Sequence, residues 1–341
     1  MRPGIPLGLA GIAAHLPAAV ETADAAVADG RIDPATAADL GYAAVTVSED
    51  LAAPEMAALA GRAALAAAGT DPAELSLVLH SWMYHQGHDV WSPPHYLARE
   101  LGAVNAHPVG VQQVCNGSAA ALSFAVAWLD SGRPGPVLLT SADRFGAPEF
   151  ERWTADYSLA YGDSATAAVV APLDPRHRVE LLSVALADAP ELELMHRGDR
   201  PFGRAPLATG GKVDVRGAKK QYLAAHGKEI FTKVNRERLR EVLATAMSEA
   251  GAGRGEVSWV ALPRLGSTIL REVYEPLVTE LCAAPVRVTG RRTGHLGPGD
   301  VFATVAELAD DLAPGRVGLV LNAGAGFSFS CIALRGRGGA A

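Results

Sequence analysis

Short apolar runs with strand character alternate along the chain with longer helical segments. Strands are predicted over 75–80, 109–114, 137–141, 165–172, 180–186, 257–262, 286–289 and 317–322. The mildly apolar N-terminal stretch reads as a first strand, because Pro3, Pro6 and His15 interrupt it too often for a signal peptide. Helices are predicted over 53–68, 94–101, 116–129, 228–250, 268–281 and 301–312. Gly69, Gly102, Gly132 and Gly251 stand where C-terminal helix caps belong. Such alternation implies α/β architecture.

Two stretches echo each other. From Pro108 to Asp143 the chain reads PVGVQQV, CNG, SAAALSFAVAWLDSG, PVLLTSAD; from Pro285 to Gly324 it reads PVRVTGRRT, GHLGPGD, VFATVAELADDLAPG, VGLVLNAG. Both are strand, short Gly-containing loop, helix, Gly, strand. A repeat at this spacing suggests two similar halves, placed at residues 1–174 and 175–341. If they pack about a pseudo-twofold axis, the two helix-entry loops converge. Cys115 and His295, 180 residues apart, then meet. Strand–helix–strand units also recur by default in α/β proteins, so the echo is suggestive rather than decisive.

The segment after Cys115 has no charged residue and no polar stripe. A helix apolar all round is buried. Cys115 heads this helix, where unpaired N–H groups and the helix dipole favour a thiolate nucleophile. A small hydrophobe packed in the core is the other reading of a buried cysteine. It is the reading taken for Cys282 and Cys331, which lie in an apolar helix and a terminal strand.

Composition narrows the function. The 341 residues carry a formal net charge of −7, and no Lys/Arg run dominates, so no nucleic-acid partner is expected. Three cysteines without a CxxC pair make neither a disulfide framework nor a thiolate zinc site. They fit a reducing compartment. No segment approaches the roughly twenty apolar residues that span a bilayer. A cytoplasmic chain with no membrane contact is the expectation. His85 and His88 lack an evident third ligand, so no metal is expected.

Val114-Cys115-Asn116-Gly117-Ser118-Ala119-Ala120-Ala121-Leu122 resembles the nucleophile motif of the ketoacyl synthase III family. Other segments agree in order. Tyr161-Gly162-Asp163-Ser164-Ala165-Thr166-Ala167-Ala168-Val169-Val170 is similar to that family's FGDGAGAVV strand entry, with Ser164 in place of a Gly. Ala323-Gly324-Ala325-Gly326-Phe327-Ser328-Phe329 is similar to its C-terminal GGGFTW loop, and Pro93-Pro94 to its substrate-lining PS segment. The resemblance implies a thiolase fold of two βαβαβαββ halves in a five-layered αβαβα core, and a homodimer. It implies acyl transfer from coenzyme A or an acyl carrier protein to Cys115, with no other cofactor. It also implies an oxyanion hole formed by the amides of Cys115 and Ala325, donors that stabilise tetrahedral intermediates.

Two departures change the expected chemistry. The family's condensing members carry a His-Gln-Ala-Asn motif and a Gly-Asn-Thr-Ser motif in the second half. Those places here read ALPRLGS (261–267) and GHLGPGD (294–300). The His is gone and His295 stands in the Asn place. The His–Asn pair steadies the enolate formed in decarboxylative condensation. One His facing a thioester instead suits general-base activation of an alcohol or amine. Asp300, five residues on, could orient that imidazole or cap a helix. The GHLGPGD arrangement resembles a subgroup that makes esters or amides in natural-product pathways, often on a sugar hydroxyl. The His- and aromatic-rich stretch 80–95 also resembles that subgroup, which implies that Trp82, His85, Trp91 and Pro94 line a small-molecule acceptor pocket. A basic stretch from Lys212 to Arg240 is either a docking face for an acidic carrier protein or a solvated helix surface.

Overall fold

The structure, a computed structural model, describes residues 1–205, 207 and 211–338. Its strands are β1 (Leu7–His15), β2 (Val20–Thr22), β3 (Ala44–Thr46), β4 (Leu77–Ser81), β5 (His107–Val111) and β6 (Val137–Asp143). There follow β7 (Ser164–Pro172), β8 (Val179–Asp188), β9 (Val257–Ala261), β10 (Val286–Arg287), β11 (Val317–Gly324) and β12 (Ser328–Gly336). β2 and β3 form a separate ribbon, and the other ten make one mixed sheet in the order β10-β9-β11-β12-β8-β1-β7-β6-β4-β5.

That order is a mirrored repeat. One half is β1-β7-β6-β4-β5 and the other is β8-β12-β11-β9-β10. Pair directions match as well: β4 is parallel to β5 and β6 as β9 is to β10 and β11. β7 is antiparallel to β1 and β6 as β12 is to β8 and β11. The halves join through a short antiparallel contact, Leu7–Leu9 against Val179–Leu181.

Strand alternation sorts side chains into layers. Leu77 and Leu79 of β4 face a central core that also holds the Gly117–Asp130 and Asp300–Leu308 helices. Val78, between them, faces an outer core with the Ala53–Ala68 and Pro93–Leu101 helices. In the second half, Val320 faces the centre, while Leu319 and Leu321 face the Glu229–Ala250 and Glu275–Leu281 helices. The result is helix, sheet, helix, sheet, helix: the thiolase architecture.

Several expected elements differ locally. The 268–281 helix divides into Ser267–Ile269, a π turn at Leu270–Tyr274 and Glu275–Leu281. Pro276 has no N–H to continue the ladder. The strand expected to run to Val114 stops at Val111. The helix after Cys115 is not buried all round: Phe124 is 53% exposed.

Candidate active site

The turn that presents Cys115 is strained. Val114 has φ +46°, a left-handed conformation unfavourable for a β-branched residue. The 3-10 turn Val114–Asn116 then leads directly into the Gly117–Asp130 helix. The second half ties this turn down. Asn322 Nδ2 donates to the Cys115 carbonyl at 3.1 Å, and Ser330 Oγ donates to Asn116 Oδ1 at 2.7 Å. The end of β11 comes so close that a Cβ on Gly324 would sit 2.7 Å from the Asn116 nitrogen.

His295 is delivered by the second half and stitched to the first. Its N–H donates to Ala160 O at 2.8 Å, and Gly162 N–H donates to its carbonyl at 2.9 Å. The adjoining Asp163 is buried and accepts from the two terminal guanidinium nitrogens of Arg152, Nη1 and Nη2, at 2.6 and 2.7 Å, and from the amides of Ser48 and Phe145. Replacing Arg152 by alanine strands that carboxylate, and a loss of about 3–5 kcal/mol is expected. Chemical denaturation measures it.

The His295 side chain is buried, 1% exposed. Its Nδ1 lies 2.7 Å from Asp300 Oδ2, and Asp300 Oδ1 accepts the Leu296 N–H at 2.8 Å. Asp300 thus fixes the ring and its own loop together, while standing as the first residue of a helix. His295 Nε2 has no hydrogen-bond partner among the described residues. Burial pulls the His295 pKa down, but the Asp300 carboxylate and the Cys115 sulfur outweigh it, leaving it well above its ordinary value. Tyr161 packs edge-on to the ring, 5.5 Å between centroids.

Cys115, His295 and Ala325 line one cavity of about 200 Å³. The convergence expected from the two helix-entry loops is present, and Asp300 closes it from behind. Ala325 N–H makes no hydrogen bond within the described chain. Cys115 Sγ contacts the Met83 thioether at 3.9 Å.

One of the expected pocket-lining residues needs correction. Trp82, His85 and Trp91 line a separate, larger cavity of about 770 Å³ together with Tyr84, His88 and Pro93. Pro94 does not line it. Helical phase turns Pro94 inward, where it is buried beside Gly110. Within the basic stretch, Arg236 and Arg240 pair with Glu280, Arg238 with Glu241, and Lys219 turns inward to Asp156.

Lys219 and Asp156 belong to a polar wall of the Cys115 cavity that sequence reading missed, with His196 and Asn235. Burial brings the His196 pKa down to about 4. His196 Nδ1 and Asn235 Oδ1 have no partner among the described residues. Their only sequence signal was weak: Phe231 and Asn235 sit one helical turn apart on a mostly polar helix, and both line the cavity. Near the place of the condensing members' His, Leu265 lines the cavity, whereas Arg264 points away to Thr293 and Glu307. No group of three or more His, Cys, Asp or Glu residues is placed to hold a metal among the described residues. No helix there is long and apolar enough to cross a membrane.

A sequence profile of 3-oxoacyl-[acyl-carrier-protein] synthase III matches residues 109–189, the stretch holding Cys115 and Asp163. The solved structure of ChlB3, described as an acyltransferase, superposes with a TM-score of 0.88 at 30% identity, covering 97% of this chain and 98% of that one. The chain belongs to the ketoacyl synthase III family. Within it, acetoacetyl CoA synthase NphT7 of Streptomyces sp. (strain CL190) is 29% identical over 289 residues, 83% of this chain and 84% of the relative. The synthase III of Geobacillus kaustophilus is 24% identical over 84% of each chain. The Aquifex aeolicus synthase III structure, with a TM-score of 0.78 at 20% identity over 96% of this chain and 99% of that one, shares the fold. The family's members are enzymes, named both as condensing synthases and as an acyltransferase.

Proposed function

We propose that this enzyme takes an acyl group from a carrier-protein or coenzyme A thioester onto Cys115 and passes it to a hydroxyl or amine of a small-molecule acceptor. The observation that carries this reading is His295, paired with buried Asp300 and facing the cavity of Cys115, where condensing members hold an Asn. In the first step the Cys115 sulfur attacks the thioester carbonyl. The Cys115 and Ala325 amides receive the oxyanion, and the donor thiol departs with a proton from His295. In the second step the acceptor attacks the Cys115 thioester while His295 Nε2 takes its proton. Asp300 stabilises the imidazolium, and the Cys115 thiolate leaves.

The larger cavity suits the acceptor, since Trp82, Trp91 and Tyr84 offer ring faces for a sugar or cyclic metabolite. A homodimer fits β5, the terminal strand of the sheet, whose outer edge has no strand partner among the described residues. The test is an acyl-thioester panel read by intact mass. An adduct mapping to Cys115 is expected. No adduct with any thioester, from coenzyme A or a carrier protein, would point to a non-catalytic subunit.

The pKa of His295 should fall when Cys115 is acylated. The Cys115 sulfur is one of the influences holding it up, and acylation caps that sulfur while Asp300 remains. Neutral His295, the base form, therefore becomes available at lower pH in the acyl-enzyme. NMR titration of its ring nitrogens, before and after acylation, should show the midpoint moving down. An unmoved midpoint would contradict the coupling.

A further inference from the structure

Arg264 stands beside the place of the condensing members' His, yet its side chain turns away from Cys115 and is 1% exposed. The two terminal nitrogens of its guanidinium go to two different segments. Nη1 donates to Thr293 Oγ1 at 2.8 Å and Nη2 to Glu307 Oε2 at 2.9 Å. Thr293 lies just before His295, in the loop that brings it to the cavity. Glu307 lies on the helix that Asp300 begins, about two turns along and so on the same face. Arg264 therefore bridges the two limbs that flank the His295–Asp300 pair, with no hydrogen bond to either member.

The bridge is anchored from several sides. Tyr42 donates its buried hydroxyl to the Arg264 carbonyl at 2.8 Å. Gly290, at φ +84°, lies over the side-chain stem: a Cβ there would be 2.8 Å from Arg264 Cγ. On the far side of the loop the Thr46 N–H of β3 donates to the Thr293 carbonyl at 3.1 Å.

Stability alone does not account for this residue. Burying a guanidinium is costly, and the compensation here is incomplete. Glu307 is 52% exposed, and Arg264 Nε has no partner among the described residues. An apolar side chain would fill the space at less cost. It could not hold two segments at a fixed spacing, as the planar guanidinium fork does.

We propose that Arg264 is a positioning residue, a strut that fixes the His295 ring against the Asp300 carboxylate and so aims His295 Nε2 at the Cys115 thioester. The proposal rests on the reading of His295 as a base, and the test separates the two. The full chain is first acetylated on Cys115 with p-nitrophenyl acetate: the thiolate attacks the ester carbonyl and p-nitrophenolate leaves. Loss of the acetyl group is then followed by intact mass with two probes. Water needs a base, whereas hydroxylamine attacks a thioester without one. Cys115 thiolate leaves in both cases, giving acetate or acetohydroxamic acid.

Arg264→Met should slow discharge to water about 10–100-fold and leave discharge to hydroxylamine near the parent rate. Arg264→Lys, which reaches one partner at a time, should fall between. With isotope-labelled histidine, the Nδ1–H resonance of His295, bonded to Asp300 in the parent, should shift and broaden in Arg264→Met. Thr293→Val, which keeps the Glu307 pair, should do the same more mildly, and it carries the test if Arg264→Met does not fold. A folded variant with the parent's His295 resonance overturns the strut, as does equal slowing with water and hydroxylamine. A shifted resonance with unchanged discharge to water also overturns it where His295→Ala is slow. Where His295→Ala is as fast as the parent, the strut stands and the base role of His295 falls.

Discussion

Replacing Cys115 by alanine should remove the covalent acyl adduct and lower acyl transfer by roughly 10⁴-fold or more. Among the described residues no other cysteine can substitute. Cys282 and Cys331 are buried in the outer core of the second half, and burial raises both their pKa values. Both disfavour the thiolate that nucleophilic attack needs. The substitution removes a small side chain from a turn held through main-chain and Asn116 contacts, so the fold should persist. Circular dichroism and intact mass, measured together, separate lost chemistry from lost structure. A Cys115→Ala variant that transfers acyl groups at the parent rate removes the proposal.

Replacing His295 by alanine should leave an acyl-enzyme that forms slowly and discharges to acceptor more slowly still, by about 10²–10⁴-fold. The asymmetry follows from the two steps. A sulfur nucleophile is partly activated without a base, whereas an alcohol near neutral pH is not. Asp300→Asn should mimic much of this loss with the imidazole still present, because the amide cannot stabilise the imidazolium. Single-turnover mass spectrometry resolves loading from discharge. Slowed loading with unchanged discharge would indicate that His295 acts only on the resting cysteine.

The sequence made the chemistry at the helix entries legible and left the cavity walls obscure. Cys115 and His295 could be paired from one chain because each marks the same point of an echoed unit. The mirrored strand order shows why: β5 leads to Cys115 as β10 leads to His295. Asp300 was readable as both cap and partner, since its position five residues on puts one carboxylate within reach of the ring and of the Leu296 amide. The acceptor residues were harder. Side chains just past β4 diverge, so Met83 reaches Cys115 while Trp82 stacks over His80. A single step in helical phase exchanged Pro93 for Pro94. Asp156, His196, Lys219 and Asn235 come from four separate segments, and only tertiary packing gathers them. Nothing in local spacing could have joined them.

The family contains both named condensing synthases and a named acyltransferase, so the fate of the acyl group on Cys115 is the central point. The most direct measurement isolates the acyl-enzyme and chases it, in parallel, with a panel of hydroxyl and amine acceptors and with a malonyl thioester, following released product and carbon dioxide. The account predicts discharge to an oxygen or nitrogen acceptor as ester or amide, with no carbon dioxide from the malonyl arm. Discharge only by the malonyl thioester, with stoichiometric carbon dioxide and a new carbon–carbon bond, would contradict it.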